Sequence, residues 1–263
     1  MPVREPVAWP PRGPESAGPE RAGPQRGPES AGVRHDPVGP EADRSASGIL
    51  FVCYANLCRS PMAEYLARDM LAGDGGTDPA GFPVSSAGTH AVAGLRMHPH
   101  AATVAAGLGA DPGGFCSRPL TADVIARAGL VLAATHRERA ACVSLVPGAM
   151  RRTFTLRQFG RLAAAARLDD PGTVPDGRPD GGSGGGPGSA TGGRLDGAGR
   201  DPAGRLAAAV SAATRARGRL QPVGPDDDDL ADPVGQPIAA FRRCAGEIER
   251  ALAPVVRLIA SCG

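Results

Sequence analysis

Two side chains suited to phosphate chemistry, Cys53 and Arg59, are separated by five residues. A cysteine attacks as its thiolate, and the positive field that binds a phosphate also favours the thiolate. The guanidinium of Arg59 is a planar fork that can bind two phosphoryl oxygens at once. The pair therefore predicts a site that cleaves phosphate esters. A buried structural cysteine beside a helix-capping arginine is the alternative interpretation of this spacing.

The elements around this pair favour the chemical interpretation. A continuous apolar run, Ile49–Val52, precedes Cys53 and is typical of a strand that is buried on both faces. Ser60-Pro61 predicts a helix start, with Ser60 as N-cap and Pro61 at the first helical position. The loop between them thus ends at a helix N-terminus, where free N–H groups and the helix dipole favour an anion.

The run Cys53-Tyr54-Ala55-Asn56-Leu57-Cys58-Arg59-Ser60-Pro61 resembles the signature of the low-molecular-weight protein tyrosine phosphatases. The resemblance implies hydrolysis of protein phosphotyrosine through a phosphocysteine, with no metal or other cofactor. Cys53 would be the nucleophile, and Arg59 would hold the phosphate. Ser60 would donate a hydrogen bond to the thiolate. The substrate-binding loop would comprise Tyr54, Ala55, Asn56, Leu57, Cys58 and Ser60.

Two more segments fit this family. Asp232-Pro233 stands where the family has its general acid, so Asp232 would protonate the leaving phenolate and then activate water. Four aspartates directly precede Leu230, and Asp229 is the alternative acid. Ser86, in a Ser-Ala-Gly segment, matches the serine that hydrogen-bonds the loop asparagine, here Asn56.

Several positions depart from the family pattern. Ala55 replaces a usual glycine, so the loop either uses another dihedral there or is strained. Phe115 replaces a frequent histidine, which removes one polar support of the loop. Val234 and Gly235 follow the Asp-Pro where tyrosines are frequent, so an aromatic wall must come from elsewhere, with Tyr54 as a candidate.

The six cysteines show no paired framework and are typical of thiols in a reducing cytosol. Cys58 has two interpretations: in this family a second loop cysteine can trap the oxidised nucleophile as a disulfide, or it is a structural thiol. The net charge of +2 gives no indication of a nucleic-acid partner, and no apolar run reaches membrane length. We therefore expect a cytoplasmic, bacterial enzyme acting on a phosphotyrosine-containing protein, with a tyrosine kinase as one candidate, and no membrane association.

The chain organisation predicts a disordered arm at 1–46 and a phosphatase domain at 47–263. A flexible glycine-rich insertion at about 169–225 would interrupt this domain, with a weakly packed surface helix over Pro202–Arg219. Elsewhere strands and helices alternate, which predicts an α/β fold: a flavodoxin-like, four-stranded parallel sheet with helices on both faces. In such sheets a ligand binds at the carboxyl ends of the strands.

Three other functions share these features. A thiol-dependent arsenate reductase has the same fold and loop but needs further redox cysteines and no general acid. A protein-arginine phosphatase has a similar loop with threonine where Leu57 stands, so an aromatic substrate is favoured. A phosphate-binding module, inactive through Ala55, is the third.

Overall fold

Four short strands form one parallel sheet. The strands are β1 (Gly48–Cys53), β2 (Val84–Gly88), β3 (Ala128–Ala133) and β4 (Thr153–Thr155). Their order is β2-β1-β3-β4, and every adjacent pair is parallel. This confirms the predicted flavodoxin-like α/β fold. The register pairs Cys53 at the end of β1 with Gly88 at the end of β2.

The structure is a computed structural model that describes residues 48–72, 83–167, 202–221, 223–224 and 226–262. The predicted arm at 1–46 and the glycine-rich segment at 169–200 lie outside the described residues. All described residues belong to one unit, Val38–Gly263. The domain boundary at 46/47 stays a prediction.

Seven α-helices connect and flank the strands in the described part of the chain. They are α1 (Arg59–Ala72), α2 (Pro99–Gly107), α3 (Ala122–Ala126), α4 (His136–Leu145), α5 (Leu156–Arg167), α6 (Pro202–Ala216) and α7 (Ile238–Ser261). None of these helices is long and apolar enough to cross a bilayer. Short 3₁₀ turns lie at Pro112–Gly114, Pro147–Arg152 and Arg217–Arg219.

The strands bury side chains on both faces because successive residues point to opposite sides of the sheet. Ile49 and Phe51 of β1 belong to the larger core cluster, together with buried side chains of α1, α5 and α7. Leu50 and Val52 belong to a second cluster under α3 and α4. Helices therefore cover both faces, and the carboxyl edge of the sheet remains for the loop after Cys53.

Helix α6 corrects one expectation. The sequence predicts a weakly packed surface helix here, but Leu206, Ala209 and Ala213 are fully buried in the larger cluster. Arg205 Nη2 also donates to the Ile259 carbonyl of α7 at 3.2 Å. The prediction of weak packing is wrong because alanines let the helix approach closely, although their small side chains give only a faint apolar stripe in the sequence.

The start of α1 is a second correction. Ser60 was expected to cap the helix, but α1 begins at Arg59 and Ser60 lies within its first turn. The hydroxyl of Ser60 is 3.0 Å from Cys53 Sγ. This residue therefore serves the loop rather than the helix terminus.

Candidate active site

The nucleophile candidate, Cys53, ends β1 at the carboxyl edge of the sheet. Its side chain is buried, and its sulfur is 3.0 Å from Ser60 Oγ, close enough for the hydroxyl to donate to a thiolate. Cys53 also lies one loop away from the N-terminus of α1, where the helix dipole favours negative charge. The position is suited to a sulfur nucleophile.

Contacts to the carbonyls of the loop after Cys53 fix its orientation. The carbonyls of Cys53 and Tyr54 accept from Thr89 N at 3.0 Å and His90 N at 2.8 Å, and that of Leu57 accepts from His98 N at 2.9 Å. In a trans peptide the N–H points opposite to the carbonyl before it. The N–H groups of Tyr54, Ala55 and Cys58 therefore point to the other side of the loop, as binding of phosphoryl oxygens requires.

Asn56 holds the loop from within. It is fully buried and has a φ of 55°, in the left-handed region that asparagine tolerates. Its Nδ2 donates to Ser60 Oγ at 3.0 Å and to Ser86 Oγ at 2.8 Å. Its Oδ1 accepts from Arg118 N at 2.9 Å. The structure thus contains the Asn56–Ser86 contact implied by the family resemblance.

Two partners in this network were missed in the sequence. Ser86 Oγ donates to Glu64 Oε2 at 2.6 Å, and Glu64 is buried and also paired with Arg68. Arg118 supports the loop through its backbone N–H, which no side-chain pattern indicates.

The substitution Ala55 does not strain the loop. Among the described non-glycine residues, Asn56 is the one with positive φ, so Ala55 uses an ordinary backbone conformation. The sequence left two alternatives, another backbone dihedral at position 55 or a strained loop. The structure has the first of them. Ala55 therefore gives no structural reason to expect an inactive loop.

Arg59 and Asp232 meet at the mouth of the loop. Arg59 is buried; its Nη2 donates to Asp232 Oδ2 at 2.7 Å and its Nη1 to the Leu230 carbonyl at 3.2 Å. Its Nε is buried without a hydrogen-bond partner among the described residues, so one more acceptor can bind there. The Asp232 side chain is 46% exposed, and its Oδ1 accepts from Val234 N at 3.2 Å. A buried cation and a solvent-facing carboxylate thus flank the position for an anion.

The neighbouring aspartates have other partners. Asp229 Oδ1 accepts from the backbone N–H of His136 at 2.8 Å and is also 2.8 Å from its Nδ1. Asp228 is buried against Arg161, with contacts of 3.1 and 2.8 Å. Since Asp229 is occupied at the start of α4, the structure favours Asp232 over the alternative acid.

Aromatic rings stand at the rim. Tyr54 is 42% exposed and stacks on His90, with ring centroids 4.3 Å apart. With its ring at the surface, Tyr54 stays the candidate for the aromatic wall, and His90 adds a second ring beside it. His98 stacks on Phe241 at 4.7 Å. Burial and then His100 lower the pKa of His98, and Asp232 opposes this shift.

Two further thiols lie near the nucleophile. Burial, followed by the neighbouring Cys53 and Asp232, raises the pKa of Cys58 far above its ordinary value. Burial likewise raises the pKa of Cys244 to about 12. Both thiols are free and neutral at physiological pH, so neither competes as a nucleophile. The described residues contain no cluster of three or more side chains suited to holding a metal ion.

Comparisons with known proteins agree with this geometry. The family model for low molecular weight phosphotyrosine protein phosphatase matches residues 48–178. The low molecular weight protein-tyrosine-phosphatase Etp of Escherichia coli K12 is 34% identical over 128 residues, which is 48% of this chain and 77% of Etp. The protein-arginine-phosphatase of Bacillus subtilis is 34% identical over 113 residues, 42% of this chain and 71% of that protein.

A solved structure gives the same result for the fold. The YwlE arginine phosphatase from Geobacillus stearothermophilus aligns with a TM-score of 0.51 at 25% identity, covering 82% of this chain and 94% of YwlE. The match to the family model contains Cys53 and Arg59 but ends before Asp232. The assignment of Asp232 therefore depends on its contact with Arg59.

Proposed function

The chain belongs to the low molecular weight phosphotyrosine protein phosphatase family, and we propose that it hydrolyses phosphotyrosine in proteins through a phosphocysteine on Cys53. One observation carries the proposal. One loop at a helix N-terminus lies between two pairs of groups. At its start, Cys53 Sγ is 3.0 Å from the Ser60 hydroxyl, and at its end the buried Arg59 guanidinium is 2.7 Å from the Asp232 carboxylate. These are the parts that transfer of a phosphoryl group to sulfur requires.

In the first step, the Cys53 thiolate attacks phosphorus in line with the leaving oxygen. A P–S bond forms, the P–O bond to tyrosine breaks, and Asp232 gives its proton to the phenolate. Arg59 and the loop N–H groups hold the equatorial oxygens. Binding requires the phosphate to replace Asp232 as a partner of Arg59, which leaves the Asp232 carboxyl group available to the leaving oxygen.

In the second step, water hydrolyses the phosphocysteine. The Asp232 carboxylate takes a proton from water, the oxygen attacks phosphorus, and the P–S bond breaks to return the Cys53 thiolate, which Ser60 stabilises by its hydrogen bond. Phosphate leaves, and Asp232 is protonated for the next cycle. Charge stabilisation in both steps comes from the guanidinium and the amides.

Phosphoarginine is the second candidate substrate, since relatives with that activity match this chain. Leu57 favours phosphotyrosine, because the arginine-specific subgroup resembles this loop but has threonine at that position. The exposed Tyr54–His90 stack also offers a flat surface against which a phenyl ring can pack. We infer that the substrate is a phosphotyrosine protein, with a tyrosine kinase as one candidate. We also infer that the protein acts in a reducing cytoplasm, because its cysteines are thiols rather than disulfides.

The test is a side-by-side assay of phosphotyrosine peptide, phosphoarginine peptide and arsenate reduction. We expect the highest kcat/KM with phosphotyrosine and no thiol-dependent arsenite formation. Cys53→Ser should abolish hydrolysis but retain phosphate binding, since Arg59 and the loop amides remain. Faster turnover of phosphoarginine would assign the second function, and activity of Cys53→Ser near wild type would exclude the mechanism.

A further inference from the structure

A cavity of about 650 Å³ lies at the amino edge of the sheet, opposite to the carboxyl edge at which Cys53 lies. Gly129 and Arg152, which line it, are at the amino ends of β3 and β4, whereas the active-site loop follows the carboxyl end of β1. One wall is the solvent-facing side of α6, which lies beyond residues 48–178. The cavity is thus separate from the active site and built partly by a segment outside the family match.

The cavity is strongly cationic. Five arginines line it, and none of the described lining residues is an aspartate or a glutamate; the arginines are Arg139, Arg151, Arg152, Arg215 and Arg217. Arg139 Nε donates to the Thr153 carbonyl at 3.0 Å, and Arg215 Nη1 donates to Ser211 Oγ at 2.7 Å. A guanidinium has five N–H donors, so these contacts fix two side chains in place while leaving further donors for a ligand.

The remaining wall is apolar. Ala207 and Val210 of α6 line the cavity together with Met150, which is 55% exposed to solvent. Ser211 and Thr214 of α6 also line the cavity. An inorganic anion would satisfy the guanidinium groups but leave the apolar wall in water. A ligand that covers both surfaces needs an anionic part and an apolar part.

We propose that this cavity binds a phosphorylated small molecule with a planar apolar body, the chemistry of a nucleoside polyphosphate. Arginine binds phosphates through paired N–H donors and also stacks on flat rings. The volume is within the range of about 300–1,000 Å³ typical of small-molecule sites. The inference is independent of the reaction proposed for Cys53.

The test measures the binding of ATP to the full chain by isothermal titration calorimetry. Adenosine and tripolyphosphate are titrated separately. ATP should bind more tightly than either part, and its affinity should fall as salt increases. Loss of one charged hydrogen-bond donor group weakens binding by about tenfold or more, so Arg151→Ala/Arg215→Ala should lose roughly a hundredfold. Arg242→Ala/Arg257→Ala, two exposed arginines of α7 away from the cavity, is the matched control and should bind normally.

A second variant fills the cavity instead of discharging it. Ala207 is exposed on α6, so Ala207→Trp places a large ring in the cavity without entering the core, and it should also abolish ATP binding. Both cavity variants should hydrolyse aryl phosphates like wild type, which shows that they fold. The proposal is overturned if ATP does not bind, if both cavity variants bind it normally, or if ATP only competes with the aryl phosphate at the active site.

Discussion

Replacement of Gly88 by alanine should lower catalytic activity, although Gly88 itself is not one of the proposed catalytic or substrate-binding residues. Gly88 ends β2 beside Cys53, its strand partner. A Cβ added at this position would lie 2.7 Å from Asn56 N and 2.7 Å from Tyr54 O. Both are backbone atoms of the loop that follows Cys53, so no side-chain rotation can relieve the contact. The loop itself must move.

The size of this movement sets the expected loss. Ordinary van der Waals contact begins at 3.4 Å, so the loop must shift by the 0.7 Å that separates this value from 2.7 Å. A misplacement of about 1 Å at a catalytic site can cost on the order of 10²-fold. We therefore expect Gly88→Ala to lower kcat/KM for para-nitrophenyl phosphate by roughly tenfold to a hundredfold, about 1.4–2.7 kcal/mol in activation free energy.

A second tight glycine provides the control. A Cβ on Gly160 of α5 would lie 2.6 Å from the Ala251 carbonyl of α7, far along the chain from the loop. Gly160→Ala should lower the melting temperature, while the folded protein keeps its kcat/KM. The steady-state assay, with folded fractions set by circular dichroism, separates the two effects. If Gly88→Ala retains kcat/KM within about threefold of wild type, the contact between β2 and the loop does not position the nucleophile.

Three further predictions follow from the contacts described above. Asp232→Ala should slow phosphotyrosine by about 10²–10⁴-fold and nitrophenyl phosphate far less, whereas Asp229→Ala should do little; the reverse pattern would move the acid to Asp229. Leu206→Ala should lower the free energy of unfolding in urea by about 2–5 kcal/mol, because Leu206 of α6 is buried in the core. A change near zero would show that α6 does not pack in the core. Burial, with Glu138 nearby, raises the pKa of Cys142 from 9.0 to about 12. Between these two values the folded state keeps a proton that the unfolded chain loses. The free energy of unfolding should therefore fall between pH 9 and pH 12. Cys142→Ala should decline less over that range, and an identical decline would show that this thiol is not responsible.

The parts of the site that the sequence predicts are contiguous. Cys53, Arg59 and Ser60 fall in one run, and the strand and helix around it have strong local signals. Asp232 is distant in sequence but is marked by its proline and the terminal helix that follows. Alternation of apolar strands and helices was sufficient for the parallel sheet, because such strands are buried on both faces.

The unpredicted parts depend on which residues meet across the sheet. Glu64 reaches Ser86 and Asn56 receives the Arg118 N–H only once β1 and β2 are in register. The close contact at Gly88 is of the same kind. The prediction that α6 packs weakly was wrong for another reason. Its buried face is mostly alanine, and burial of alanine depends on how closely the neighbouring helices approach rather than on a visible apolar stripe.

The most direct test of the account is to identify the residue that carries the phosphoryl group during turnover. Because the proposed role of Asp232 in the second step is to activate water, Asp232→Ala mixed with para-nitrophenyl phosphate should accumulate the phosphoenzyme. After an acid quench and proteolysis, mass spectrometry of the peptides should find the phosphoryl group on Cys53, and on no peptide of Cys53→Ser/Asp232→Ala. A phosphoryl group on a different residue, or rapid release of nitrophenol with no labelled peptide at all, would contradict the mechanism.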